Sequence, residues 1–264
     1  MRILIELDHI VHAVNSRQQA AQIFNKKGIG MQEGGRHPDW GTSNSISYFG
    51  SSYLELLSID NRETARNSDN PLISQISALN GAEGIFQIAL RTDNIEGDAI
   101  TFSKLGLTVA GPFSGQRMTG TGELLRWQML FVSSGMSSFH LPFFIEWNLS
   151  GGKRLKGTSD GSMNQTADIG SVLYAVRDID SVIKNWTKWF NIRKIKSYTN
   201  SREWNAICTE VKLSSASITF LEPKGEGLIK QILSNKGEGP FGIKFTGNTG
   251  QEKIHEMRGG YYLF

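Results

Sequence analysis

The chain has 264 residues, 39% of them hydrophobic and 20% charged, enough to bury one or two cores and, by length, in favour of two domains. Its formal charge of +3 is mild and its Lys and Arg residues are scattered, which argues against phosphate-backbone binding and sets nucleic acid aside. The single cysteine, Cys208, excludes an internal disulfide framework and suits a reducing compartment. It lies in a strand-like run, where a cysteine is ordinarily a small buried hydrophobe. Acidic residues follow the first apolar ones too soon for a signal-peptide core, and no apolar run approaches a membrane span. The expectation is a cytoplasmic protein without membrane contact.

The opening stretch, Leu7 to Val14, alternates as a strand, so His9 faces an interior with Val11 and Ala13. Ser16 to Gly28 reads as a helix, with Ser16 as its cap and Gly28 as its stop. Gln32 to Asn44 is rich in Gly, Pro and polar groups around Arg36, His37 and Trp40, and reads as a loop: either a binding lip or a surface loop pinned by Trp40. Ser45–Phe49 and Ser52–Ile59 form a hairpin about Gly50-Ser51, and Glu55 lies in the middle of its second, apolar strand. An ionised carboxylate there costs several kcal/mol unless it is paired or metal-bound, roughly the penalty of any buried charge.

The same order then begins again. Asp69–Leu79 is a connecting helix, Gly84–Thr92 a strand and Asn94–Leu105 a helix stopped by Gly106. Gly120-Thr121-Gly122 is a hairpin turn leading into Leu124–Val132, and Phe139–Trp147 carries a second carboxylate, Glu146, in an apolar run. A third round runs from Ile169–Val176 through the amphipathic helix Ile179–Phe190 to strands near Ile195–Tyr198, Ala206–Leu213 and Ala216–Leu221. A fourth, shortened round comprises Phe241–Thr246, a helix Gln251–Met257 and Tyr261–Phe264. A Gly-, Ser- and Asn-rich stretch between the second and third rounds marks a linker. The division is 1–150, 151–167 and 168–264. His140 and His255 read as solvated.

A repeated strand, helix and three-strand unit resembles the vicinal oxygen chelate superfamily. More narrowly, His9 to Val14, Gly34 to Asn44, Tyr53-Leu54-Glu55-Leu56 and Leu141 to Trp147 resemble the glyoxalase-like domain family. The likeness covers Leu7 to Trp147; from Asp168 onward only the module rhythm is similar. It implies an α+β fold of repeated βαβββ modules forming curved mixed sheets, two paired-module units with the second truncated, and a divalent metal held by the first and fourth strands of each module. Carried over residue by residue, the metal ligands are His9, Glu55 and Glu146. The remaining position falls on Phe86, with Gln87 pointing the other way unless that strand bulges. One imidazole and two carboxylates suit Zn, Mn, Co, Ni or Fe and leave open positions for substrate. Without a metal, the alternative is a buried histidine bonded to a carboxylate.

The function expected from this set is a metal-dependent lyase or isomerase of a small oxygenated molecule, working by proton abstraction beside a carbonyl with Glu146 or Glu55 moving the proton. A dioxygenase is disfavoured because it needs two imidazoles. Arg36, His37, Thr42 and Asn44 would orient the ligand, with Trp40, Phe86, Trp127 and Trp147 as apolar walls. The rival expectation is a metal-free protein that binds a small molecule in the same cup, and a third is a non-catalytic fold kept for assembly. The second unit reads as a scaffold, with Ser171 at the first-strand position and Glu222 near the fourth-strand one. Two paired units in one chain allow a monomer or a homodimer.

Overall fold

A computed structural model describes residues 5–118, 122–135, 139–148, 167–200, 202–247 and 253–264. The Gly120-Thr121 turn and most of the expected linker lie outside the described residues. The first module contains β1 (Glu6–Ala13), α1 (Arg17–Lys26), β2 (Gln32–His37), β3 (Thr42–Phe49) and β4 (Ser52–Ile59), followed by α2 (Arg62–Arg66) and α3 (Pro71–Ala78). The second contains β5 (Gly84–Arg91), α4 (Ile95–Lys104), β6 (Thr108–Met118), β7 (Leu124–Ser133) and β8 (Phe143–Trp147). Their strands form one sheet in the order β2-β3-β4-β1-β5-β8-β7-β6.

β9 (Ile169–Ala175), α5 (Ile179–Phe190), β10 (Arg193–Asn200), β11 (Ala206–Lys212) and β12 (Ser217–Pro223) form the third module. After α6 (Leu228–Lys236), β13 (Gly239–Phe245), β14 (Ile254–Met257) and β15 (Gly260–Leu263) close a second, smaller sheet ordered β10-β11-β12-β9-β13-β15-β14. The α+β architecture of repeated modules with a shortened last round is the one expected from the sequence.

Three local expectations are corrected. Gln32–Asn44 is not a loop: its polar residues pair as β2 and β3 around a single 3₁₀ turn, Pro38–Trp40, that presents Trp40. The helix expected at Gln251–Met257 is a strand from Ile254, because Arg258 and Gly259 take positive φ (49° and 73°) and turn β14 tightly back onto β15. His255 accordingly sits on β14, half-buried against Phe264. The strand β6 and the helix α6 carry too weak an apolar pattern to be read beforehand.

The convex faces of both sheets, with α1, α4 and α5, share one continuous core in which Phe102 and Phe144 meet Phe190, and Phe49 meets Phe245. His12 belongs to this core. It points away from His9, its Nδ1 lies 2.5 Å from the Tyr262 hydroxyl and its Nε2 lies 2.9 Å from the Arg258 carbonyl, so it ties β1 to the second sheet. Burial pushes its pKa down to about 3. Each concave face holds a core of its own: α3 lays Leu72 and Ile76 over the first, and α6 fills the second with Ile229, Ile232 and Leu233.

Candidate functional site

The first three modules carry the same backbone landmark, which fixes equivalent positions. The amides of Val14, Thr92 and Val176 donate to the carbonyls of Leu57, Ile145 and Leu221, each at 3.0 Å. Counting back from these residues aligns His9, Gln87 and Ser171 on the first strands, and Glu55, Phe143 and Thr219 on the fourth. A β-bulge precedes every first-strand position: pairing skips Asp8 before His9, Phe86 before Gln87 and Gly170 before Ser171. A bulged residue leaves the strict alternation of a strand and can share a face with its neighbour.

In β1 that bulge brings Asp8 and His9 together on the concave face. Asp8 Oδ1 accepts from His9 Nδ1 at 2.7 Å, and its other oxygen accepts from Arg91 at 2.7 Å and from the Trp147 indole at 3.0 Å. Burial raises the Asp8 pKa, but the hydrogen bond and charge of His9 together with the Arg91 guanidinium more than offset it and hold the carboxyl below its ordinary range. An ionised carboxylate on Nδ1 selects the tautomer that carries its proton there, leaving the Nε2 lone pair directed into the cup. Glu55 Oε2 stands 3.7 Å from that Nε2, too long for a hydrogen bond, while Asn44 donates to Glu55 Oε1. Tyr53 stacks on the imidazole at 4.6 Å, and Phe143 meets it edge-on at 5.6 Å.

His9, Glu55, His37, Trp40, Thr42, Tyr53 and Arg117 line a cavity of about 30 Å³, closed by Leu72 and Ile73 of α3 and by Trp127 and Trp147. A space of that size holds only a water or two. His37 is held by Thr42 Oγ1 at 3.0 Å, and burial lowers its pKa to about 4, which keeps it neutral at neutral pH. Asn44 and Phe86 also face this side, Asn44 on Glu55 and Phe86 against the apolar core of the concave face. Arg36 does not: it is exposed on the opposite face of β2 from His37.

Glu146 is the principal correction. Its Oε2 accepts from the Ile95 amide at 2.9 Å, so the side chain caps α4 on the far side of β8 from His9. In the third module Glu222 does the same for α5, accepting from the Ile179 amide at 2.8 Å. The two are matching helix caps, and the fourth-strand position facing His9 belongs to Phe143 instead. Gln87 does reach the concave face through its bulge, yet its amide is engaged: Nε2 donates to the Leu141 carbonyl and Oε1 accepts from the Ile88 amide.

The donor set therefore does not fit the metal centre that His9, Glu55 and Glu146 were expected to form. Among the described residues, no three His, Cys, Asp or Glu side chains are grouped closely enough to hold an ion. What the cup does hold is a row of three groups, Asp8, His9 and Glu55, flanked by the rings of Tyr53 and Phe143. Cys208, the lone thiol, is buried in the second sheet, where burial pushes its pKa up to about 11. No helix among the described residues is long and apolar enough to cross a membrane.

A family described as glyoxalase-like domain matches residues 7–190. Among solved structures, a hypothetical protein from Staphylococcus aureus is 22% identical, with a TM-score of 0.80 and 98% of each chain covered. A mutant 4-hydroxymandelate synthase from Streptomyces coelicolor is 14% identical, with a TM-score of 0.59, covering 92% of this chain and 71% of its own. A xylose isomerase-like TIM barrel/4-hydroxyphenylpyruvate dioxygenase fusion protein is 11% identical, with a TM-score of 0.53, covering 90% of this chain and 35% of its own. At these identities the likeness is one of fold. No curated protein matches the chain.

Proposed function

The chain belongs to the glyoxalase-like domain family of the vicinal oxygen chelate superfamily, and we propose that it binds a small oxygenated molecule in the cup of its first sheet and moves a proton beside a carbonyl there, using His9 as the base. The observation that carries this reading is the alignment of Asp8, His9 and Glu55 at 2.7 and 3.7 Å on the floor of an aromatic cavity. In the proposed step, His9 Nε2 takes a proton from the carbon next to the carbonyl, and the electron pair of the broken C–H bond moves into an enolate. Asp8 on one side and Glu55 on the other stabilise the imidazolium that results. Return of the proton to a different face or atom of the enolate completes an isomerisation, and expulsion of a leaving group completes a lyase reaction.

Three features support a proton carrier over a purely structural histidine. Asp8 is charge-balanced by Arg91, so its hydrogen bond orients the imidazole without leaving a bare charge. Nε2 is left facing a carboxylate rather than bonded to it. The rings around the pair leave room for no more than a water or two, which strengthens every charge interaction inside.

The test is solvent exchange. In D₂O, wild-type protein should catalyse deuterium incorporation at the carbon next to the carbonyl in one or more of a panel of small 2-oxo acids, 2-oxo amides and hydroxyaldehydes. His9→Gln should lower the rate by about 10²- to 10⁴-fold. No catalysed exchange across the panel, or exchange that survives His9→Gln, overturns the proposal. The metal-free binding protein is the second reading, and the mixed polar and aromatic lining of the same cavity favours it, since it offers a guest hydrogen bonds and ring faces without any proton transfer. Quenching of tryptophan fluorescence by a panel member without any exchange would decide for that reading.

A further inference from the structure

Arg117 is a third buried charge in the first cup, and the acid-base row does not use it. It lies on β6 with 7% of its surface exposed and lines the same cavity as His9 and Glu55. The guanidinium donates to the Gly34 carbonyl and hydrogen-bonds the Tyr48 hydroxyl, both neutral acceptors. Among the described residues no carboxylate oxygen comes within 4.0 Å of it.

Two other arginines of the first two modules supply the contrast. Arg17, equally buried, is paired with Glu33 at 2.7 Å, and Arg91 is paired with Asp8 at 2.7 Å. A guanidinium taken out of water costs several kcal/mol unless a counter-charge and good hydrogen bonds repay it. Arg17 and Arg91 have that counter-charge in direct contact; among the described residues Arg117 has none so close, and Glu55 is the carboxylate that shares its cavity.

The backbone is shaped to admit this cation. Gly35 of β2 has φ +150°, and a Cβ there would lie 2.9 Å from the Met118 carbonyl and 3.3 Å from Arg117 Cδ. Any other residue at this position would press on the seam between β2 and β6 where the arginine side chain passes. Gly35 thus keeps open the place that Arg117 occupies, while a Cβ on Gly34 would press on Asn44 instead.

We infer that Arg117 is the anion-recognition residue of the cup and that the molecule bound there is a small carboxylate carrying an apolar group. The planar fork of a guanidinium matches a carboxylate in two parallel hydrogen bonds. Leu57, Leu72, Ile73, Met129 and Ile145 add a wall of hydrocarbon to the same cavity. Glu55 and His9 line the same cavity, so a carboxylate on Arg117 would share the cup with the imidazole. This inference rests on the proposed proton-transfer site for its location, and its own content is the charge of the guest.

The test compares an acid with its uncharged twin. Binding of 2-oxobutanoate and of 2-oxobutanamide is followed by tryptophan fluorescence and calorimetry in wild-type protein, Arg117→Met and Arg117→Lys. The acid should bind wild-type protein at least about 10-fold more tightly than the amide, and Arg117→Met should weaken the acid about 10- to 100-fold while leaving the amide unchanged. Arg117→Lys should recover part of the loss. Equal affinity for acid and amide in wild-type protein, or no binding of either, overturns the inference even where Arg117→Met does not fold. Deuterium exchange separates the two proposals. Exchange without preference for the acid leaves His9 as a base and removes Arg117 from recognition, whereas acid-selective binding without exchange removes the base and keeps Arg117.

Discussion

The two sheets are built on one plan and filled in opposite ways. At the paired first- and fourth-strand positions the first carries His9 and Glu55, whereas the third module carries Ser171 and Thr219, whose hydroxyls bond each other at 2.8 Å. Two hydroxyls satisfy one another and ask for nothing more. An imidazole nitrogen and a carboxylate oxygen 3.7 Å apart are too far from each other for a hydrogen bond, and both line the cavity where a guest can meet them. The helices behave in parallel: α6 packs its apolar face into the second cup, while α3 only covers the first and leaves a cavity beneath. One concave face keeps a polar cavity and the other is consumed as core.

The largest expected effect breaks this comparison at its polar pair. Glu55→Gln should reduce the proposed deuterium exchange by about 10²-fold or more, because the carboxylate that balances the imidazolium is gone. Ser171→Ala, at the equivalent place in the second sheet, should leave exchange unchanged and cost only the roughly 1 kcal/mol of a hydrogen bond, read as a small drop in denaturation midpoint. Equal losses of activity in both variants would mean that the two cups are not functionally distinct.

Acid pH tests the joint between the sheets. His12 and His37 are buried and neutral, with pKa values lowered to about 3 and about 4 from 6.5, so below pH 6.5 the unfolded chain binds more protons than the folded one. Stability is full above pH 6.5 and falls as pH drops toward 3, by on the order of 4 kcal/mol for His12 alone. Urea denaturation between pH 7 and pH 4 should show this slope, and His12→Gln should flatten it. An unchanged slope in that variant would show that His12 does not carry the effect.

The smallest effect sharpens the likeness rather than the difference. Glu146→Gln and Glu222→Gln should each lower stability by about 1 kcal/mol, the worth of a carboxylate at a helix N-terminus, and neither should alter exchange. Loss of exchange in Glu146→Gln alone would restore Glu146 to the site.

Much of the module order was legible because apolar alternation and capping residues mark it: Ser16, Asn94 and Asp178 all cap the helices that they open. His9 and Glu55 were legible because each stands out in an apolar strand. What was not legible depends on pairing between strands. Asp8 follows Leu7 and precedes His9, and strict alternation turns it away; only the bulge opposite Leu90 and Ala89 brings it beside His9. Glu146 misled because Phe143, Phe144 and Ile145 are buried on both faces of β8, so the sequence there carries no alternation from which to tell the sides apart. Arg117 was missed because β6 is mostly exposed and polar, and its one inward cation resembles its outward neighbours.

The central claim is that the first cup works through Asp8, His9 and Glu55 rather than through a metal held by His9, Glu55 and Glu146. It is tested most directly by loading purified protein with Mn²⁺, Co²⁺, Ni²⁺ or Zn²⁺, desalting it, and measuring bound metal alongside deuterium exchange before and after chelation. The account expects far less than one equivalent of ion and exchange that survives the chelator but not His9→Gln. One tightly held equivalent, lost in both Glu55→Ala and Glu146→Ala and required for exchange, would contradict it.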